Sequence, residues 1–117
     1  MPSPAQRAHA LTSYFEKRYK ERYGSMPVVN RYSARWGWDS VLASLSDAEV
    51  REVINYYFDV PRATHTLDWF FYNYDKLVVS YRESLEESER RKRLREESQQ
   101  RAAEWRARVG NKGITSN

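Results

Sequence analysis

The sequence predicts an all-α fold, in which a compact, aromatic-rich bundle of three to four helices is followed by a long, charged C-terminal helix. Two observations lead to this prediction. Apolar residues recur at helical spacing in several segments, and 16 of the 17 aromatic residues lie within the first 81 residues of the chain. No alternating apolar run and no Asn-Gly or Asp-Gly turn supports strands. A length of 117 residues allows one domain.

The first helix is predicted over residues 5–23, because apolar residues recur every three or four positions from Ala8 to Tyr23. Residues 1–4 contain two prolines and are expected to form a flexible N-terminus. Gly24 can end the helix in a left-handed conformation.

The second helix is predicted to be short. Asn30 can cap residues 31–36, and Gly37 is expected to end them. Asp39 then offers a further cap before the apolar residues at 41–45.

Two longer amphipathic helices complete a helical body over residues 5–81. Ser46 and Glu49 match a capping box, and the apolar spacing that follows predicts a helix up to Pro61. Thr64 or Thr66 can cap the next helix, whose apolar positions recur from Leu67 onwards. Because the core must be built before residue 82, aromatic side chains are expected to fill it.

The composition changes at residue 82. Residues 82–109 contain nine Arg or Lys and seven Glu, with five Glu–Arg pairs four residues apart in the favourable order. These pairs predict an extended, charged helix, which we call the charged segment. No apolar seam is sustained, so a coiled coil is not expected. Residues 110–117 contain two glycines and are expected to form a flexible tail.

Several classes of function are disfavoured by the composition. The chain has no cysteine and no long apolar run, and its start lacks the pattern of a signal peptide, so a cytoplasmic protein without membrane contact is expected. His9 and His65 lack metal-ligand spacing, and no nucleophile has a matching base. We therefore expect no enzyme, no catalytic or metal site, no cofactor and no small-molecule substrate.

Charge is distributed unevenly along the chain. Residues 1–38 have a net charge of +5, residues 39–81 of −4 and residues 82–117 of +3. A polyanion would be attracted to the two ends and repelled by the middle. The candidate nucleic-acid contacts are therefore the basic residues of the two ends, namely Lys17, Arg18, Lys20, Arg22, Arg31 and Arg35 on one face and Arg90, Arg91, Lys92, Arg93 and Arg95 on another.

Each group has an alternative interpretation. The basic run from Arg90 to Arg95 can contact phosphates, or it can be a solvated face neutralised by the interleaved glutamates. Tyr32 can stack on an unpaired base, but the favoured interpretation is that Tyr32 and Trp36 belong to the core.

The end of the charged segment is a candidate protein contact. Trp105, Arg101, Arg106 and Val109 form a short amphipathic stretch, and tryptophan and arginine are common anchors in protein interfaces. Docking on a partner is favoured over packing against the protein's own body.

Four short stretches give the chain a family resemblance. They are Tyr-Phe-Glu-Lys-Arg-Tyr-Lys at 14–20, Val-Ile-Asn-Tyr-Tyr-Phe at 53–58, Trp-Phe-Phe-Tyr-Asn-Tyr-Asp at 69–75 and Glu-Trp-Arg at 104–106. With these stretches the chain resembles small uncharacterised bacteriophage accessory proteins. The resemblance implies a viral factor of the host cytoplasm that assists DNA replication or redirects a host polymerase, and it assigns no functional residue.

Together these features predict a non-enzymatic accessory protein that binds nucleic acid, DNA rather than RNA, through electrostatic contacts to phosphates. The alternative is a protein-interaction adaptor, whose C-terminal helix docks on a host or phage protein such as a polymerase or helicase.

Overall fold

The computed structural model describes the backbone of residues 1–115 and the side chains of residues 1–110. Over that range the chain forms four α-helices and no strand, so the all-α prediction is confirmed. The helices are α1 (Pro4–Tyr23), α2 (Arg31–Leu42), α3 (Asp47–Asp59) and α4 (Leu67–Thr115). Contacts divide the chain into two units, Met1–Tyr81 and Arg82–Asn117.

Helix α1 has defined caps at both ends. The Ser3 hydroxyl accepts a hydrogen bond from the Gln6 backbone N–H at 3.2 Å, and the Gln6 side chain accepts one from the Ser3 N–H at 2.8 Å. Ser3 and Pro4, placed in a flexible N-terminus by the sequence, thus form the N-cap and first turn of α1. Gly24 ends the helix with a φ of 76°, as predicted.

Helix α2 is longer than predicted. Asn30 caps it as expected, but the helix continues through Gly37 and Asp39 to Leu42. A glycine inside a helix costs only about 1 kcal/mol relative to alanine. Continuing the helix buries Trp38 and Val41, which more than offsets that cost. A β-carbon at Gly37 would also lie 2.5 Å from the Phe71 ring, so glycine allows that ring to pack closely.

Helices α3 and α4 begin where the sequence predicts. The Ser46–Glu49 capping box is present, and α3 ends at Asp59, before Pro61. Of the two candidate caps for α4, Thr66 is the one used, because its hydroxyl accepts a hydrogen bond from the Trp69 N–H at 3.2 Å. Helix α4 runs through Gly110 to Thr115, and the last part of the predicted tail, residues 116–117, lies outside the described residues.

None of the described helices is apolar over a stretch that could cross a bilayer.

The core lies within the first unit and is rich in aromatic residues. Each of the four helices contributes a ring or rings to one cluster: Phe15 from α1, Trp38 from α2, Tyr57 and Phe58 from α3, and Phe70 from α4. Phe15 and Phe58 have ring centroids 5.0 Å apart, and Tyr57 and Phe70 are 5.6 Å apart. The buried hydrophobic residues of the described chain all lie between Ala8 and Val78, as the sequence predicts.

Polar groups inside the core have hydrogen-bond partners. The indole N–H of Trp38 donates to the Thr12 hydroxyl at 2.8 Å, and that hydroxyl donates to the Ala8 carbonyl at 2.9 Å. The Tyr57 hydroxyl donates to the Thr66 carbonyl at 2.9 Å, and burial raises the pKa of Tyr57 to about 12. These bonds remove the cost of burying an unsatisfied donor.

His65 is fully buried, and both of its ring nitrogens have hydrogen-bond partners. Its Nε2 atom lies 2.8 Å from the Val60 carbonyl oxygen, so Nε2 carries the proton, and Nδ1 accepts a hydrogen bond from the Tyr23 hydroxyl. The ring stacks on Phe58. Burial lowers the pKa of His65, and the nearby Arg22 and Arg62 lower it further.

Gly37→Ala is expected to lower the free energy of unfolding by about 1–3 kcal/mol, because the new methyl group overlaps the base of the Phe71 ring. Urea unfolding followed by circular dichroism measures the change. Gly110→Ala is the matched control, since a β-carbon there meets nothing within 4 Å and should keep or raise helicity. Equal stability of the two variants would contradict the close packing at Gly37.

His65 is expected to make folding stability depend on pH. Its pKa is lowered in the folded state, so the unfolded chain binds the extra proton. The free energy of unfolding should be highest above the ordinary histidine pKa of about 6.5 and should fall as the pH drops through the folded-state pKa. Urea unfolding at several pH values between about 8 and 5 measures this.

His65→Gln is expected to be less stable than the natural protein but to lose most of this pH dependence. His9→Gln removes the other histidine of the chain and should keep the dependence. An unchanged pH profile in His65→Gln would assign the effect to other groups.

Candidate nucleic-acid interface

The charged segment presents its side chains to solvent. From Arg82 to Gly110, Ala102 is the one residue that is not exposed. Even its two leucines are exposed, Leu85 at 48% and Leu94 at 57%. Stability here therefore comes from helix propensity and local charge pairs rather than from a core.

The acidic residues of the charged segment share one half of the helix. At about 100° per residue, all seven glutamates fall within about half of the circumference. They are Glu83, Glu86, Glu87, Glu89, Glu96, Glu97 and Glu104. Five basic residues are interleaved with them, namely Arg82, Arg90, Arg93, Arg101 and Arg108. With seven acids and five bases, this half has a net charge of −2.

The opposite half carries positive charge and no glutamate. It contains four basic residues, Arg91, Lys92, Arg95 and Arg106, which we call the basic face. Its other positions are mostly small or polar, among them Ser84, Ser88, Ser98, Gln99 and Ala102. Small neighbours allow an anionic backbone to approach the helix closely. The basic face extends over about 22 Å of helix axis.

Ion pairs neutralise little of this charge. Arg91 lies 2.5 Å from Glu87, and this hydrogen bond lowers the pKa of the Glu87 carboxyl. Arg101 lies 3.8 Å from Glu97, on the acidic half. Within the described residues, Arg90, Lys92, Arg93, Arg95 and Arg106 form no ion pair. The sequence left open whether the glutamates neutralise the run from 90 to 95. Arg90 and Arg93 lie among the glutamates and Arg91 pairs with Glu87, whereas Lys92 and Arg95 lie unpaired on the half without acids.

The basic residues of α1 are not on one surface. Arg18 pairs with Glu21 at 3.0 Å and approaches Asp59 of α3 at 4.0 Å. Arg22 donates to the Phe58 carbonyl at 2.8 Å. These two arginines thus lie toward α3 and bind carboxylate and carbonyl groups of the protein itself. Lys17 and Lys20 are exposed and have no ion pair in the part of the chain that the structure describes.

Arg31 and Arg35 lie on the side of α2 that faces α1. Arg31 pairs with Glu16, and it donates to His9 Nδ1 at 2.8 Å. Arg35 lines the same small cavity as Arg31 and His9, and it has no ion-pair partner among residues 1–110. The structure therefore brings Arg31 and Arg35 together but separates them from Arg18 and Arg22. The expected single face of six basic residues is not formed.

Two aromatic residues of α2 are exposed, and the interpretation that they belong to the core is wrong. Tyr32 is 80% exposed and Trp36 is 64% exposed. The reason lies in the helical period, since Ala34, Trp38 and Val41 form the buried stripe and Tyr32 and Trp36 fall opposite it.

The end of the charged segment has an exposed apolar edge. Trp105 is 63% exposed and Val109 is 46% exposed, one helical turn apart. Arg101 lies one turn before Trp105, and Arg106 lies on the basic face beside Val109. The structure leaves all four side chains accessible.

The described side chains include no group of three or more His, Asp or Glu residues that could hold a metal ion. His65 is enclosed by the core, and His9 lies beside Arg31.

One feature was missed by the sequence reasoning: Arg106 belongs with Arg91, Lys92 and Arg95 on a face without acids. The signal is present in the sequence as helical periodicity. The Glu–Arg pairs four residues apart indicate local neutralisation. The half of the helix without acids becomes visible only when every residue is placed around the helix axis.

Comparisons with known proteins give no match. Neither protein-family models, nor curated proteins, nor solved structures contain a significant relative of this chain. The functional argument therefore depends on the geometry and charge of these residues.

Proposed function

We propose that this protein is a non-enzymatic accessory factor that binds nucleic acid, DNA in the first place, through the basic face of the charged segment. The observation that carries the proposal is the separation of charge around the helix. Four basic residues share an acid-free half, and only Arg91 among them has an ion pair within the described residues.

The size of the basic face suits a phosphate backbone. Duplex DNA presents one negative charge per about 1.7 Å of axis, so cations spread over about 22 Å meet phosphates in any register. Binding would release counterions from the DNA and would be strongly weakened by salt. Lys92, Arg95 and Arg106 have no ion-pair partner among the described residues that would hold them toward a particular base edge, so little sequence readout is expected.

The glutamates on the other half have a role compatible with this function. They stabilise an otherwise unsupported helix through pairs four residues apart, each worth about 0.2–0.5 kcal/mol. They also limit binding to one side of the helix, because the acidic half would repel phosphates.

A triple variant tests the proposal. Arg91→Gln, Arg95→Gln and Arg106→Gln, combined in the full chain, are expected to weaken DNA binding strongly at low salt. The slope of log K against log salt is negative, and its magnitude should decrease by about 1 for each phosphate contact removed, or by about 3 in total. Fluorescence anisotropy with a labelled duplex at several salt concentrations measures both quantities.

The matched control removes the same charge from the other half. Arg90→Gln, Arg93→Gln and Arg101→Gln also takes away three arginines, one of which is ion-paired in each set. Circular dichroism checks that both triple variants keep the helix. Equal loss of affinity in the two variants, or a salt slope near zero in the natural protein, would contradict a specific basic face.

A second candidate function is favoured by the exposed edge at Trp105 and Val109. In that case the charged segment docks on a protein partner such as a polymerase or helicase, with Trp105 as its anchor. Trp105→Ala separates the two functions, since it should leave duplex affinity nearly unchanged if the basic face alone binds phosphates.

A further inference from the structure

We infer that the outer face of α2 is a separate binding site for single-stranded nucleic acid, at which Tyr32 and Trp36 stack on unpaired bases. The two rings are 80% and 64% exposed in a molecule whose other aromatic residues mostly fill the core. Large aromatic side chains left in water are a common mark of a binding surface.

The spacing of the two rings fits adjacent bases. Tyr32 and Trp36 are four residues apart on one helix, which places their β-carbons about 5–6 Å apart on the same face. Each ring offers a π-face, and stacking on aromatic side chains tolerates any base. The helix that carries them is fixed by its Asn30 cap and by buried Trp38, so the two rings are held on a rigid support.

Charge selects a nucleic acid as the occupant of this face. Arg35 lies at the edge of this face toward α1, one turn after Tyr32. It is exposed and has no ion-pair partner in residues 1–110, so its guanidinium is available to a phosphate. Arg31 is 45% exposed although it also holds Glu16. The N-terminal end of α2, beside Tyr32, adds a partial positive charge. Asp39 lies one turn beyond Trp36 on the same side of the helix and offsets part of this charge, although it is half-buried.

A third exposed aromatic residue of the same unit provides the contrast. Tyr72 on α4 is 88% exposed, but its neighbours one turn away include Asp68 and Asp75. Lys76 offsets only one of these two charges. An acidic surround would repel phosphates, so Tyr72 is not expected to bind. Exposure is thus similar at Tyr32 and Tyr72, while the residues one turn away include Arg35 at Tyr32 and two aspartates at Tyr72.

This inference extends the proposed function to a second site with a different ligand preference. The basic face makes phosphate contacts, which single strands and duplexes both offer. Stacking at α2 requires bases that are free of a complementary strand. The full chain should therefore bind a single strand more tightly than a duplex of the same length.

The experiment measures affinity of the full chain for a labelled oligothymidine of about 15 nucleotides and for a duplex of that length. Trp36→Leu and Tyr32→Leu are each expected to weaken single-strand binding by at least about fivefold and to leave duplex binding unchanged. Trp36→Phe keeps a π-face and should retain most of the affinity. Tyr72→Leu is the matched control and should change neither affinity. All three positions are exposed, so the thermal stability of the four variants should stay close to that of the natural protein.

Three outcomes would overturn the inference. The first is an effect of Trp36→Leu no larger than that of Tyr72→Leu. The second is equal binding by Trp36→Leu and Trp36→Phe, which would indicate apolar contact rather than stacking. The third is that Trp36→Leu dissociates a dimer in sedimentation velocity, which would assign this face to contact between copies of the chain.

Failure here is distinguishable from failure of the proposed function. If the α2 variants bind normally while the Arg91, Arg95 and Arg106 triple variant loses duplex affinity, only the α2 site is excluded. If the triple variant binds normally while Trp36→Leu loses single-strand affinity, only the basic face is excluded.

Discussion

The packing of aromatic rings between four helices is the interaction on which the rest of this structure depends. Leu, Ile, Val and Phe together number 22 in 117 residues, too few to build an ordinary aliphatic core. Rings from all four helices fill the interior instead, and their polar atoms are satisfied by groups of the same interior, such as Thr12 for Trp38. Each ring buries a large area at low cost in side-chain entropy, so about 80 residues suffice for a stable body.

Concentrating the apolar residues in the first unit determines the chemistry of the charged segment. With no apolar face to bury, that helix is stabilised by pairs of opposite charge one turn apart. Such pairs need acids on only part of the surface. The glutamates occupy one half of the helix, and of the four basic residues on the other half only Arg91 has an ion-pair partner within the described residues. Residues that stabilise the helix and residues available to a ligand are thus separated by the helical period.

Much of the fold could be predicted from the sequence because it is encoded locally. The caps at Asn30, Ser46 and Gly24 are determined by side chains within three or four residues, and the structure contains all of them. Gly37 could not be interpreted in this way, because α2 continues to bury Trp38 and Val41 and the glycine makes room for Phe71 from a distant segment. The same limit applies to Arg22, whose partner is a carbonyl of α3. Residue type alone favours the core for Tyr32 and Trp36, whereas the helical spacing from Ala34 to Val41 places them on the opposite side.

The two candidate surfaces differ in the physical interaction that each can offer. The basic face has cations and small side chains but no ring, so its free energy of binding would come from counterion release and would be nearly independent of sequence and strandedness. The outer face of α2 has two rings, with one unpaired arginine at its edge toward α1, so stacking would contribute more than charge there and salt would matter less. A chain with both surfaces would bind the phosphates of any nucleic acid, and its affinity would still depend on whether the bases are paired. Because both surfaces lie outside the aromatic core, each can be altered without the loss of buried area that would unfold the body.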